Sequence, residues 1–288
     1  MKRIAAPVLL LFPCVSILLG VVYMPIIITF MYSLKDYKLT EPWNEKFVGL
    51  ANYIHLFKDP TFQTTLANSA IILGIFVICG VMLSIMLALV LHKNTKITPL
   101  LTALTIIPWA LPPLVNGIIW KFIFFPGYGL VNTLLLDLGI ITAPVAWTSN
   151  RFTLLIIISI VVIWRSVPFG AIVILANLEQ IPEELYEAIY MDGATPLQAF
   201  RKITLPLIAP SLAIVVINFI YTGLNVFDEV IALSGYTFQG QTLAVYTYMT
   251  TFNFLDFGLG SAVSYITMLT AGLIGYAYIR HLHVEKLY

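Results

Sequence analysis

The chain alternates long hydrophobic runs with short polar breaks. A helix needs about 20 mostly apolar residues to cross a hydrocarbon layer of roughly 30 Å. Six runs meet that length: residues 5–34, 66–91, 99–125, 152–176, 207–233 and 258–279. The expected fold is an all-α membrane protein of six transmembrane helices, a single domain over residues 1–288. An even number of crossings places both termini on one side. Lys2 and Arg3 precede the first run as in a signal peptide. That run is about twice a normal signal core and ends in no small-residue cleavage site, so it reads as a retained span.

The breaks are unequal. Residues 35–65 are polar, with aromatics suited to a membrane interface, while residues 126–150 are semi-apolar and contain Pro126, Gly127, Gly129 and Pro144. The latter length accommodates a short re-entrant or interfacial helix, which periodicity does not distinguish. With the termini cytoplasmic, the inner side carries eight cations, Lys2, Arg3, Lys93, Lys96, Arg201, Lys202, Arg280 and Lys286. The outer side carries six, Lys35, Lys38, Lys46, Lys58, Lys121 and Arg151. The excess favours that orientation, in a cell membrane.

Composition excludes the soluble classes. The chain is 60% apolar and 10% charged, with a mean hydropathy of +0.94, whereas soluble domains carry about 25% charged residues. A net charge of +1 provides no field for a nucleic acid. Cys14 and Cys79 sit inside apolar runs, as small buried hydrophobes rather than disulfide or metal ligands. There is no G-x-x-x-x-G-K-[ST] and no H-E-x-x-H, and the four histidines are scattered, so an enzyme is a poor fit and no metal site is expected.

One polar segment, residues 177–205, carries legible helix punctuation. Pro182 suits a first helical position, with Glu183 and Glu184 in the first turn where the dipole favours acids. Gly193 is a stop. Thr195, Pro196 and Gln198 form a capping-box start. Pro206 marks the far limit. Two short helices meeting at Gly193 are expected, with Asp192 bracing the corner. Ala188, Ala194, Leu197 and Phe200 would present a notch and an apolar knob outside the membrane. The alternative is an amphipathic segment lying flat on lipid.

Glu187-Ala188-Ile189-Tyr190-Met191-Asp192-Gly193-Ala194, followed by Phe200, Ile203, Leu205-Pro206 and Pro210, resembles the EAA loop of permease subunits of binding-protein-dependent ABC importers. Ile189 stands where the usual pattern has a second Ala. Phe47-Val48-Gly49-Leu50-Ala51-Asn52-Tyr53 resembles the maltose and glycerol-phosphate branch of that family, as do Pro108, Pro112, Trp120-Lys121, Gly129, Asn132, Phe227-Asp228-Glu229 and Phe257-Gly258. That branch has a glycine-rich turn ending in proline where this chain reads Ser234-Gly235-Tyr236-Thr237-Phe238. The resemblance implies a type I importer permease fold whose coupling loop (Glu187, Ala188, Asp192, Gly193, Ala194, Leu197, Phe200) docks on a cytoplasmic ATPase. It also implies two ATPase subunits that bind the ATP, a second permease subunit, and an extracytoplasmic sugar-binding protein. This chain would then need no cofactor of its own and would move a carbohydrate by alternating access.

A transport path is also readable from the residues. At about 100° per residue, Ser211, Asn218, Thr222, Asn225 and Glu229 fall on one face of a continuous fifth helix, with Tyr221 and Asp228 along its edge. Interhelical hydrogen bonding is the alternative role for Asn218 and Thr222, but as a continuous stripe these residues favour a path-facing surface. Pro108, Pro112 and Pro113 predict a broken third helix, bringing Asn116, Trp120 and Gly129 beside the path. Arg165, in the middle of the fourth run, needs a carboxylate partner, Asp228 or Glu229. The same three charges would serve the other class that the residues leave open, an ion-gradient-driven transporter or channel.

Overall fold

The computed structural model describes residues 2–93 and 95–285. Lys286, counted above toward the inner side, lies outside the described residues. The first run forms α1 (Lys2–Ile17) and α2 (Met24–Ser33), joined through a wider π-type turn at Leu18–Tyr23. An antiparallel hairpin follows, β1 (Lys35–Asp36) with β2 (Lys46–Phe47), pairing Lys35 with Phe47 and Asp36 with Lys46. Next come α3 (Ala51–Lys58), α4 (Pro60–His92), α5 (Thr98–Ala110), α6 (Pro113–Ile123), α7 (Leu130–Asp137) and α8 (Arg151–Leu178). The polar segment contains α9 (Glu183–Met191), α10 (Pro196–Ala199) and α11 (Leu205–Leu207). The chain closes with α12 (Ala209–Leu224), α13 (Asp228–Ser234), α14 (Leu243–Tyr248) and α15 (Phe257–Glu285).

Among the described residues, four helices are long and apolar enough to cross a membrane alone: Leu10–Ser33, Pro60–His92, Arg151–Leu178 and Phe257–Arg280. Two bent pairs pass the same test: the first covers the expected third span, and the second joins part of the polar segment to α12, while the expected run 207–233 is divided into α12 and α13. Thr98–Ala110 meets Pro113–Ile123 at 96°, and Pro196–Leu207 meets Ala209–Leu224 at 70°. The first bend is the expected proline break, because Pro112 and Pro113 donate no backbone N–H and Leu111 is already extended. The second departs from expectation. Pro206 lies one residue before the end of the helical stretch Pro196–Leu207, just past its π-type turn, and the bend comes at Ile208. Residues 126–150 contain the short helix allowed for them, α7.

Cys14 and Cys79 are both exposed, contrary to their reading as buried hydrophobes. Lipid is as apolar as a protein interior, so a span gains nothing by turning such residues inward.

Contacts divide the chain into two units. The first holds Met1–Gln63 and Tyr246–Leu269. Within it, Tyr265 donates to the Ile26 carbonyl at 2.6 Å, tying α15 to α2. Asn52 donates to the carbonyls of Ser33 and Lys35, both at 2.9 Å, and Tyr53 donates to Ser33 Oγ at 2.8 Å, so α3 is fastened to the hairpin base. Gly258 lies so close to β1 that an added Cβ would sit 2.2 Å from the Lys35 carbonyl oxygen. Asp59 caps α4 through the backbone N–H groups of Thr61 and Phe62 and accepts from the Tyr246 hydroxyl at 3.0 Å. Burial first, then the hydrogen bond to Asp59 and the charges of Asp59 and Asp256, hold that phenol above its ordinary pKa.

The second unit holds Thr64–Val245 and the end of the chain from Thr270. Its core is the packing of α4, α8 and α12, with α8 the most buried span. Arg151 Nε donates to Asn68 Oδ1 at 2.8 Å, and Ser84 donates to the Val167 carbonyl at 3.2 Å, each pair 83 residues apart, so α4 and α8 run parallel. Phe219, fully buried, stacks on Phe76 at 4.7 Å and fits between Gly80 of α4 and Gly170 of α8. A Cβ at Gly170 would lie 2.4 Å from Ser84 Oγ and 3.1 Å from Phe219. Overpacking of this kind costs about 1–3 kcal/mol. Gly170→Val is therefore expected to lower the unfolding temperature in detergent, whereas Gly74→Val, at a glycine with nothing within 4 Å, leaves it nearly unchanged; a thermal-shift series checks both.

Candidate functional site

The polar segment folds as a cornered pair of helices for local reasons. α9 ends at Met191, and Gly193 takes a φ of +77°, the left-handed region that costs a side chain energy and glycine none. Gly193 N–H donates to the Tyr190 carbonyl at 3.0 Å and Ala194 N–H to that of Ile189 at 3.2 Å, a Schellman ending. The next helix starts at once. Thr195 N–H donates to Gln198 Oε1 at 2.7 Å and Gln198 N–H to Thr195 Oγ1 at 3.4 Å, the reciprocal bonds of a capping box. Pro182, expected as the first helical residue, is the cap of α9, one position earlier.

The corner has two sides. Ala188, Asp192, Gly193 and Leu197 are exposed, and Leu197 and Met191 expose 58% and 88% of their surface. Such apolar side chains on a polar segment mark a contact surface. The Asp192 carboxylate has no hydrogen-bonding partner among the described residues, so the expected bracing is absent; the backbone bonds of Gly193 and Ala194 hold the corner instead. On the other side, Tyr186 OH and the buried Thr204 Oγ1 share a hydrogen bond of 2.8 Å that ties α9 to the segment leading into α12. A cleft of about 780 Å³ lies here, lined by Leu89, His92 and Lys93 at the end of α4 and by Tyr186, Glu187, Tyr190 and Phe200. Phe200, expected as an outward knob, is half-buried in that cleft, and Ala194 is half-buried as well. The π-type turn Phe200–Thr204 shifts the helical phase at this point.

The second polar region lies among α6, α8 and α13. Arg165 Nε donates to Glu229 Oε1 at 2.9 Å, with the two side chains 17% and 4% exposed. Of the two expected partners the structure selects Glu229. Asp228, half-buried, starts α13 with no ion pair among the described residues. α13 packs most extensively on α6, where Gly117 permits close approach: an added Cβ would lie 2.5 Å from Ala232 Cβ and 3.0 Å from Glu229 Cα. One residue earlier on α6, Asn116 is fully buried and donates to the Val161 carbonyl at 3.2 Å. Trp120, a turn later, stacks on Phe124 and meets Trp164 edge-on, both at 5.8 Å. Asn116 Oδ1 and Trp120 Nε1 are buried without a protein partner.

The continuous polar face expected along the fifth span is interrupted. α12 ends at Leu224, Phe227 leaves helical geometry at φ −128° and ψ −62°, and α13 begins afresh. Glu229 therefore belongs to the ion pair and not to the stripe. Ser211 is buried and bonds the Ile208 carbonyl at 2.7 Å. Asn218, Tyr221 and Asn225 are exposed and Thr222 is half-buried, so these four remain one accessible strip of α12. Asn225 donates to the Tyr221 carbonyl at 2.8 Å, closing the helix end. Gly129 caps α7, buried so tightly that a Cβ would fall 2.3 Å from the Phe125 carbonyl oxygen; its place is that of a turn glycine.

Sequence reasoning missed the residues that organise the loops. Asn68, fully buried, donates to the carbonyls of Gln239 and Gln241 at 3.2 and 3.0 Å while accepting from Arg151. Asn132 donates to the carbonyls of Pro126 and Val145 and accepts from Val145 N–H and Trp147 Nε1, which uses its whole capacity. A polar cluster at residues 65, 68 and 69, where an apolar run begins, was the available signal. The turn after α13 lacks the expected proline but still pivots on a glycine, Gly235 at φ +64°.

Residues 80–284 match the family described as binding-protein-dependent transport system inner membrane component. The trehalose/maltose transport system permease protein MalF of Thermococcus litoralis is 31% identical over 265 residues, 91% of this chain and 88% of that protein. The sulfoquinovosyl glycerol transport system permease protein SmoG of Agrobacterium fabrum is 32% identical over 275 residues, 95% and 89% of the two chains. The sn-glycerol-3-phosphate transport system permease protein UgpA of Yersinia pestis is 33% identical over 252 residues, 84% and 82%. Among solved structures, a bacterial ABC transporter involved in the import of the acidic polysaccharide alginate superposes with a TM-score of 0.83 at 22% identity, covering 98% of this chain and 96% of that one. That likeness establishes the fold.

Breaking a buried ion pair by removing one partner costs on the order of 3–5 kcal/mol, whereas replacing both with apolar groups is often neutral. Arg165→Met and Glu229→Met are each expected to destabilise the protein by that order, and the double variant to recover most of the loss. A double-mutant cycle of unfolding in detergent checks this, and additive losses would show that the pair does not couple.

Proposed function

This chain belongs to the binding-protein-dependent transport system inner membrane component family, and from that premise we propose that it is the permease subunit of an ATP-driven carbohydrate importer. It is a non-catalytic membrane component. ATP is held and hydrolysed by two separate ATPase subunits, so no cofactor is assigned to this chain. A second permease subunit completes the path, and an extracytoplasmic binding protein delivers the solute. The whole chain acts as one permease domain in the inner membrane of a bacterial or archaeal cell, with both termini cytoplasmic.

The observation that carries the reading is the corner at Gly193. It exposes apolar side chains where no lipid-spanning role requires them, and its shape comes from its own backbone bonds. A surface built in that way transmits a push without deforming. Tyr186 and Thr204 pass the motion to the segment entering α12, and a four-residue turn, 179–182, joins α8 to α9. Asn218, Tyr221, Thr222 and Asn225 give α12 its path-facing strip, with Trp120 and Asp228 contributing from the neighbouring half-helices and the fully buried Asn116 behind them. Amides pair with adjacent hydroxyls and aromatic rings stack on sugar faces, which suits a hydroxylated solute. The names of the trehalose/maltose and sulfoquinovosyl glycerol relatives point to the same class. The reading as an ion-gradient transporter is set aside, because the family to which the chain belongs is one of binding-protein-dependent transport.

Reconstituted with its partner subunits, the chain is expected to support sugar uptake that needs ATP and binding protein and ignores a collapsed proton or sodium gradient; uptake that follows the gradient would overturn the assignment. Gly193→Val places a β-branched residue at a left-handed position, a strain of roughly 1–3 kcal/mol, and is expected to reduce sugar-stimulated ATP hydrolysis while leaving membrane insertion intact. Alanine at Asn218, Thr222 or Asn225 is expected to raise the sugar concentration needed for half-maximal uptake with little change in basal ATPase, as measured by a transport titration.

A further inference from the structure

α3 has three distinct sectors, and only two of them are accounted for. On a helical projection at about 100° per residue, Leu56 and Asn52 share one side. Leu56 is fully buried and Asn52 is spent on the Ser33 and Lys35 carbonyls, which anchors α3 to the hairpin. His55 and Lys58 occupy a second, polar sector. The third is a stripe of Leu50, Ile54 and Phe57, spaced four and three apart and therefore aligned, exposed by 64%, 56% and 54%. The hairpin extends the apolar surface of the same unit with Phe47 at 75% and Trp43 at 83% exposure.

The chain itself limits what can cover this stripe. α3 passes through the single residue Asp59 into Pro60, the first residue of the span α4, and Asp59 is the cap that joins them. The stripe therefore directly precedes α4, whose apolar run begins at residue 66. Lys58 ends the same helix and Lys46 starts β2 of the same unit, neither with an acidic partner among the described residues. Lys35 and Lys38, by contrast, are paired with Glu45 and Asp256. An exposed apolar stripe ending at an unpaired lysine, in a unit that also exposes Trp43 and Lys46, is complementary to a phospholipid interface, acyl chains below and phosphates beside.

We propose that α3 is an interfacial anchor, lying along the bilayer surface at the entry of α4 with Leu50, Ile54 and Phe57 inserted among the phospholipids and Lys46 and Lys58 at the headgroup phosphates. The anchor fixes the depth of the span that follows and rests only on the membrane-spanning character of the chain, whatever solute is carried.

The test uses the assembled transporter in vesicles of phosphatidylethanolamine and phosphatidylglycerol, in a Cys14→Ser, Cys79→Ser background. Nitroxide labels are placed singly at Ile54→Cys, Phe57→Cys, His55→Cys and Lys58→Cys. Labels at positions 54 and 57 are expected to relax several-fold more with oxygen than with a water-soluble nickel chelate, and those at 55 and 58 the reverse. Equal relaxation of all four by the chelate would put the stripe in water and overturn the proposal. Shielding of positions 54 and 57 from both reagents would assign the stripe to another subunit and overturn it equally. If either stripe variant fails to assemble, Leu50→Cys reports on the same face.

Discussion

A carboxylate buried in a membrane protein has to be answered by a charge, and here one pair answers for a whole region. Glu229 stands on the short helix α13 and Arg165 in the middle of the most buried span, α8. Burying either charge alone would carry a large desolvation cost. Their 2.9 Å contact therefore fixes α13 against α8. The other side of α13 is fixed sterically, since Gly117 lets α6 approach until no Cβ could intervene. Two half-helices and one continuous span are thus held in register by one electrostatic and one packing constraint. The exposed strip of α12 is presented just before that clamped region begins.

Broken helices at membrane depth create a second obligation, because backbone groups released from a helix find no water in lipid. Side-chain amides and hydroxyls meet much of it. Asn68 holds the turn after α13 through two carbonyls, Thr242 donates to the Val226 carbonyl at 2.7 Å beside the α12 break, and Asn132 closes the connection that follows α6. Asn132 is fully occupied in this way. Asn116 Oδ1 and Trp120 Nε1, which have capacity to spare, stand apart for that reason.

The coupling corner follows a different logic. Its geometry depends on backbone bonds within a few residues of Gly193 and on the Thr195–Gln198 box. Stiffness of local origin suits an element that transmits a displacement, since it survives movement of the surrounding spans. The hydrogen bond between Tyr186 and Thr204 ties the corner to the segment entering α12.

That contrast explains what could be read beforehand. The hydrophobic runs, the corner at Gly193, its capped second helix and the proline break between α5 and α6 were all legible in the sequence, because each is set by the chemistry of adjacent residues: hydropathy over a helix length, a left-handed glycine, a missing N–H. Other features were decided only in the folded chain. Arg165 and Glu229 are 64 residues apart, and nothing local separates Glu229 from Asp228 as the partner. The end of α12 at Leu224, the inward turn of Phe200, and the exposure of Cys14 and Cys79 depend likewise on which surfaces meet. The sequence by itself determined a membrane permease with a rigid docking corner; the tertiary structure decided which charge is neutralised, where the helices break and which polar groups remain free, because those outcomes follow from packing and desolvation between distant segments.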